Sequence, residues 1–173
     1  SNRLTGGPGN VLCLENDEQM GEGWSDFIGL AFTQRATDTA TTPRGVGTYL
    51  FGQPPDGIGI RPAPYTRDMA VNAFTYANLG SVAIPHGVGF VWSTMLWDMY
   101  WDLVYQYGYN PDLYGAWDSG GNNLALQLVM DGMKLQPCSP GFVDGRDAIL
   151  QADLALTGGA NQCTIWGAFA RRG

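Results

Sequence analysis

The chain has one histidine, His86, and three cysteines, Cys13, Cys138 and Cys163. A single imidazole excludes any metal site or acid–base pair that takes two histidines from this chain. No Cys-x-x-Cys pair occurs, which excludes a zinc ribbon. Charge is scarce too: Asp, Glu, Lys and Arg make up 14% of 173 residues, with nine basic against sixteen acidic side chains and a net charge of −7. That balance lacks the basic footprint of a nucleic-acid binder and is repelled by anionic membrane surfaces, so neither partner is expected. No apolar run reaches the ~18 residues of a membrane span. No signal-peptide pattern or Met opens the sequence, and its polar start, SNRLTGGPGN, is read as a cut edge. There is no internal repeat and no low-complexity tract.

Against these absences, 45% of residues are hydrophobic and 12% aromatic, enough for one domain with a real core and opposed to disorder. Twenty-five glycines and ten prolines predict long irregular connections. Residues 1–16 read as loop. Met20, Trp24, Phe27, Ile28 and Ala31 have helical spacing, which predicts a helix over 18–33 held by packing rather than propensity. Residues 34–66 read as irregular, with a short strand at 47–51, and 67–79 as a short helix. Residues 86–108 are apolar nearly all round and predict a central buried helix, stopped by Gly108 and Asn110–Pro111. Helices follow at 122–134, at 139–156 (Ser139 as cap, Pro140 at the first position) and at 160–172, where Arg171 and Arg172 suit the negative end of the dipole. The expected fold is mainly α: about six helices around one long buried helix, with long Gly/Pro-rich loops, in a single domain over 1–173.

Few residues are equipped for chemistry. In GEGWSDF, Glu22 and Asp26 are four apart and so share a helical face. Acids there can simply favour the positive end of the dipole, or can hold a metal, since their neighbours are apolar. One carboxylate and one histidine do not complete a zinc site. His86, at the start of the long helix, is open to a structural or a functional reading. The aromatic run WSTMLWDMYWDLVYQYGY, with Asp98 and Asp102, is read chiefly as core and alternatively as the lining of a sugar-binding cleft. Cys138 and Cys163 flank a predicted helix pair and can form a disulfide that leaves Cys13 odd; the alternative is three buried thiols.

The segments SNRLTGG, MGEGWSDF, IRPAPYT, HGVGFVWSTMLWDMYW, LVMDGMKLQPCSPGFVDGRDAILQAD and GANQCTIWGAFARRG run along the whole chain in order. Together they resemble the fungalysin family of secreted zinc metalloendopeptidases, relatives of the thermolysin type. The resemblance implies the C-terminal helical lobe of such an enzyme, extracellular, acting on protein or peptide substrates. It implies that Glu22 is the third zinc ligand and that Asp26 orients a zinc-binding histidine. It implies that His86 stabilises the oxyanion during peptide hydrolysis and that Arg61 grips a substrate carbonyl. The family's His-Glu-x-x-His helix, which precedes Ser-Asn-Arg-Leu-Thr-Gly-Gly, is absent here, and Pro85 stands where the family carries an apolar residue such as Val. This chain alone is therefore expected to be inactive and to bind no zinc tightly, the zinc belonging to the complete enzyme. The alternatives are a non-catalytic binding or scaffold module derived from that fold and, less favoured, a carbohydrate-binding helical domain. The face along residues 20–30 and around His86 is expected to expose Trp and Phe edges and to drive self-association.

Overall fold

The computed structural model describes all residues, 1–173. Six α-helices run in the order α1 (Asn2–Gly6), α2 (Gly21–Thr33), α3 (His86–Tyr107), α4 (Gly121–Leu135), α5 (Phe142–Thr157) and α6 (Gln162–Arg171). There is no β-strand; two isolated bridges, Arg44 with Tyr65 and Val46 with Gly59, tie the irregular segment to itself. No helix is long and apolar enough to cross a membrane.

Helix α3 is the axis. It is buried without interruption from Gly87 to Trp101, as its all-round apolar pattern requires. Helices α2, α4 and α6 pack around it, and α5 packs on α4 and α6. Its aromatic side chains interlock in the core: Trp92 meets Trp24 edge-on with centroids 4.9 Å apart, and Tyr100 meets Phe27 at 6.0 Å. Asp98 is fully buried and Asp102 is tied to Arg67 at 2.8 Å. The sugar-binding reading of this run is thus overturned: Trp92, Trp97, Trp101 and Asp98 face protein, not a cleft.

Helix α2 buries Gly23, Trp24, Phe27, Leu30 and Ala31, one face at three-to-four-residue spacing. Its C-terminal carbonyl at Thr33 accepts from Arg44 Nη2 at 3.0 Å, and Arg44 is paired in turn with Asp38. Trp24 and Phe27 are fully buried within the chain itself. The expected exposure of their edges is therefore corrected; what α2 leaves open is Phe32, with Ile28 half-buried, beside a groove of about 570 Å³ shared with α1 and α4.

Four local readings also differ. Residues 2–6 form a short helix, not loop, fixed by Thr5 Oγ1 donating to the Met133 carbonyl at 2.9 Å. Residues 48–51 are a 3₁₀ turn, not a strand. The helix expected over 67–79 is replaced by turns and a 3₁₀ helix at Tyr76–Ser81. There Asp68, Asn72 and Asn78 side chains accept nearby backbone N–H groups, offering the chain an alternative to a helical ladder. Finally, α5 starts at Phe142. Ser139 sits at a positive φ of 57° and donates its N–H to the Cys13 carbonyl, so it caps nothing. Asp144 instead accepts the Gly141 N–H and Glu18 the Phe142 N–H.

The cysteine pairing explains that shift. Cys13 is bonded to Cys138 and Cys163 is a free, exposed thiol, correcting both the Cys138–Cys163 pairing and the three-thiol reading. The bridge fastens the 11–16 loop to the α4–α5 connection, 125 residues away.

Candidate active site

Glu22 occupies the first turn of α2, and His86 is the first residue of α3. They meet because the two helices cross in backbone contact. A Cβ on Gly23 would lie 2.1 Å from the Gly89 carbonyl oxygen, and one on Gly89 would lie 2.7 Å from the Gly23 nitrogen. Only glycine on both sides allows this approach. The glycine after Glu22 thus has a packing reason, and its result is His86 Nδ1 at 3.1 Å from Glu22 Oε2.

Asp26, one turn further along α2, faces inward and is buried. Arg61 reaches it from the irregular segment: Nε donates to Oδ2 at 2.6 Å and Nη2 to Oδ1 at 2.8 Å, a two-pronged charge-assisted pair. Tyr65 OH donates a third bond to Oδ2. Arg61 Nη2 also donates to Glu22 Oε2 at 3.1 Å, and Arg61 Nη1 lies 3.4 Å from His86 Nδ1. The four residues singled out from the sequence therefore form one hydrogen-bonded chain: Asp26, Arg61, Glu22, His86.

The electrostatics follow from these contacts. The hydrogen bond from Arg61, with a smaller contribution from His86, holds the Glu22 carboxyl below its ordinary value against a modest desolvation cost. Asp26 beside it keeps the Arg61 guanidinium more firmly protonated than usual. Burial, followed by the neighbouring Asp26 charge, pushes the Tyr65 phenol well up, so it stays a neutral donor. The site thus presents an ionised, half-exposed Glu22 and an exposed His86 on a buried, hydrogen-bonded Asp26–Arg61–Tyr65 base.

Glu22 suits a metal in part. Its Oε2 is engaged, while Oε1 accepts no bond from the chain. No group of three His, Cys, Asp or Glu side chains is assembled anywhere in the fold. Glu22 can supply one ligand, and a zinc site needs at least two more from elsewhere.

Sequence reasoning did not single out Tyr65, Gly23 or Gly89. Tyr65 lies within IRPAPYT, four residues after Arg61, but nothing local says that both reach the same carboxylate. The glycines were legible only as weak helix formers.

Comparison with known proteins identifies the family. A profile of the fungalysin metallopeptidase family (M36) matches residues 1–173. An extracellular metalloproteinase mep of Aspergillus fumigatus is 46% identical over 179 residues, covering all of this chain and 28% of the relative. An extracellular metalloproteinase MEP of Pyricularia oryzae is 46% identical over 180 residues, again with 28% of its length covered. The extracellular metalloproteinase 10 of Coccidioides posadasii is 44% identical over 178 residues, with 99% of this chain and 28% of the relative covered. The chain therefore spans little more than a quarter of the length of these curated relatives. With a match from its first residue to its last, the chain belongs to the fungalysin metallopeptidase family.

Proposed function

We propose that this chain is the C-terminal portion of a secreted zinc metalloendopeptidase and is inactive without the rest of the enzyme. The observation that carries the reading is the continuous chain Asp26–Arg61–Glu22–His86 at the start of α2 and α3. Secretion is supported by the relatives, each named an extracellular metalloproteinase. In the complete enzyme a zinc ion would lower the pKa of bound water and polarise the scissile carbonyl.

Each residue has a distinct part. Glu22 offers Oε1 as one metal ligand. Asp26 uses both oxygens on Arg61 and Tyr65, yet Oδ1 accepts only one bond, which leaves a lone pair for the N–H of a neighbouring metal-binding histidine. Arg61 spends Nε and Nη2 on carboxylates and keeps Nη1, facing His86, for a substrate carbonyl. His86 turns Nδ1 to Glu22 on an exposed ring, and in its protonated form Nδ1–H donates to Glu22 while Nε2–H is left to meet the carbonyl oxygen as it gains charge. In the gene product that includes His-Glu-x-x-His, His86→Ala should retain metal and slow turnover by roughly 10²–10³-fold. Metal loss, or unchanged turnover, would remove His86 from this role. This chain by itself, after dialysis, should carry far less than one zinc.

A further inference from the structure

Arg172, the penultimate residue, is fully buried. Its Nε and Nη2 donate to Asp98 Oδ2 and Oδ1 at 2.8 and 3.2 Å. The rest of the guanidinium is spent on one stretch of backbone: Nη1 donates to the carbonyls of Asn72 (2.6 Å) and Phe74 (3.3 Å), and Nη2 to that of Thr66 (3.1 Å). The Arg172 carbonyl accepts the Tyr76 N–H, and Arg171 Nη2 donates to the Arg67 carbonyl. The Arg172 side chain thus pins three carbonyls of the arm 66–76 to Asp98 of α3, beside the Arg67–Asp102 pair on the same helix. That arm continues directly from Arg61 and Tyr65, and Asn72 carries the connection back by donating to the Pro64 carbonyl at 3.3 Å and to Thr94 Oγ1 at 3.2 Å.

Simple stabilisation does not account for the pair. A buried ion pair contributes little net free energy because desolvation offsets its attraction. Burial raises the Asp98 carboxyl above its ordinary value despite Arg172 beside it. What a planar five-donor fork does supply is direction, and here it fixes three carbonyls of an otherwise irregular segment.

We propose that Arg172 is a positioning residue for the site, a latch that holds the 61–76 arm so that Arg61 and Tyr65 stay on Asp26. The positioning rests on geometry alone; only its consequence for hydrolysis rests on the peptidase reading. The test uses this chain. Removing Arg172 alone would strand a buried carboxylate, so the paired variant Asp98→Asn/Arg172→Gln keeps a neutral, hydrogen-bonding pair. The readout is solvent exchange of the Arg61 Nε–H by ¹⁵N NMR, its signal assigned by loss in Arg61→Lys. We expect at least tenfold faster exchange at Arg61 Nε–H, with the buried amides of Leu96 and Leu128 protected as in wild type. Unchanged Arg61 exchange overturns the proposal. So does acceleration equal to that of Leu96 and Leu128, which would mean only global loosening. Should the paired variant not fold, Arg172→Lys keeps the charge and loses the fork; Arg61 exchange must then rise selectively, by threefold or more, or the latch is wrong. In the complete enzyme, loosening Arg61 should raise KM more than it lowers kcat, with metal content unchanged. Absence of peptidase activity in any form would count against the functional reading while leaving the exchange result intact.

Discussion

The substitution Gly23→Ala isolates the helix crossing that brings Glu22 to His86. The new Cβ would stand 2.1 Å from the Gly89 carbonyl oxygen and 3.1 Å from the Ser93 nitrogen. Both are backbone atoms of α3 and cannot rotate aside. Ordinary contact begins at 3.4 Å, so α2 and α3 must part by roughly 1.3 Å, a scale at which a packed core loses much of its dispersion attraction. Such overpacking costs about 1–3 kcal/mol, and a backbone clash belongs at the upper end. Replacing a helical glycine returns about 1 kcal/mol of propensity. The net is a loss of about 2 kcal/mol, or a Tm lower by about 4–8 °C for a chain of this size. Gly29 is the internal control. It lies on the exposed side of the same helix with nothing within 4 Å of a built Cβ. Gly29→Ala should therefore raise stability by up to ~1 kcal/mol. Urea and thermal unfolding followed by tryptophan fluorescence would give both values. If Gly23→Ala proves as stable as Gly29→Ala, the close crossing does not exist and the account of why Glu22 meets His86 fails.

Two further outcomes follow from buried groups. Thiol titration of the native, unreduced chain should find one reactive cysteine, Cys163, and three after reduction and unfolding. Cys13→Ser/Cys138→Ser should cost about 2–5 kcal/mol in chemical denaturation, since the bridge closes a long loop; a native chain with two or three reactive thiols would contradict the pairing. Burial holds the Tyr65 and Tyr100 phenols well above their ordinary value. A group raised in the folded state contributes its full stability below its unfolded value near pH 10 and loses it as pH climbs beyond. At most six of the eight tyrosines should then ionise, by absorbance at 295 nm, before alkaline unfolding. Eight ionising together near pH 10 with a native circular dichroism spectrum would refute this.

The helices that were legible in the sequence are those whose pattern is set by the core. Residues 86–107 read as buried because no polar face interrupts them, and 21–33 because Trp24, Phe27 and Ala31 recur at helical spacing. Errors arose where distant partners decide local structure. Ser139-Pro140 looks like a helix start, yet Ser139 is bound to the Cys13 carbonyl beside a disulfide from the other end of the chain. Arg172 looks like a complement to the α6 dipole, yet it is drawn inside by Asp98 and three carbonyls of another segment. Within the site, Glu22 and Asp26 were visible from their spacing. Tyr65 was not, because its pairing with Asp26 spans 39 residues of irregular chain.

The central claim is that Glu22 is a metal ligand contributed by this chain to a larger catalytic centre. Metal analysis of the complete enzyme with Glu22→Gln tests it most directly. The substitution keeps size and hydrogen bonding but removes the charge that a zinc ligand carries. The account predicts that dialysed Glu22→Gln holds far less than one zinc per molecule where wild type holds one, with hydrolysis lost in parallel and the fold intact by circular dichroism. One zinc per molecule with wild-type affinity in Glu22→Gln would contradict it.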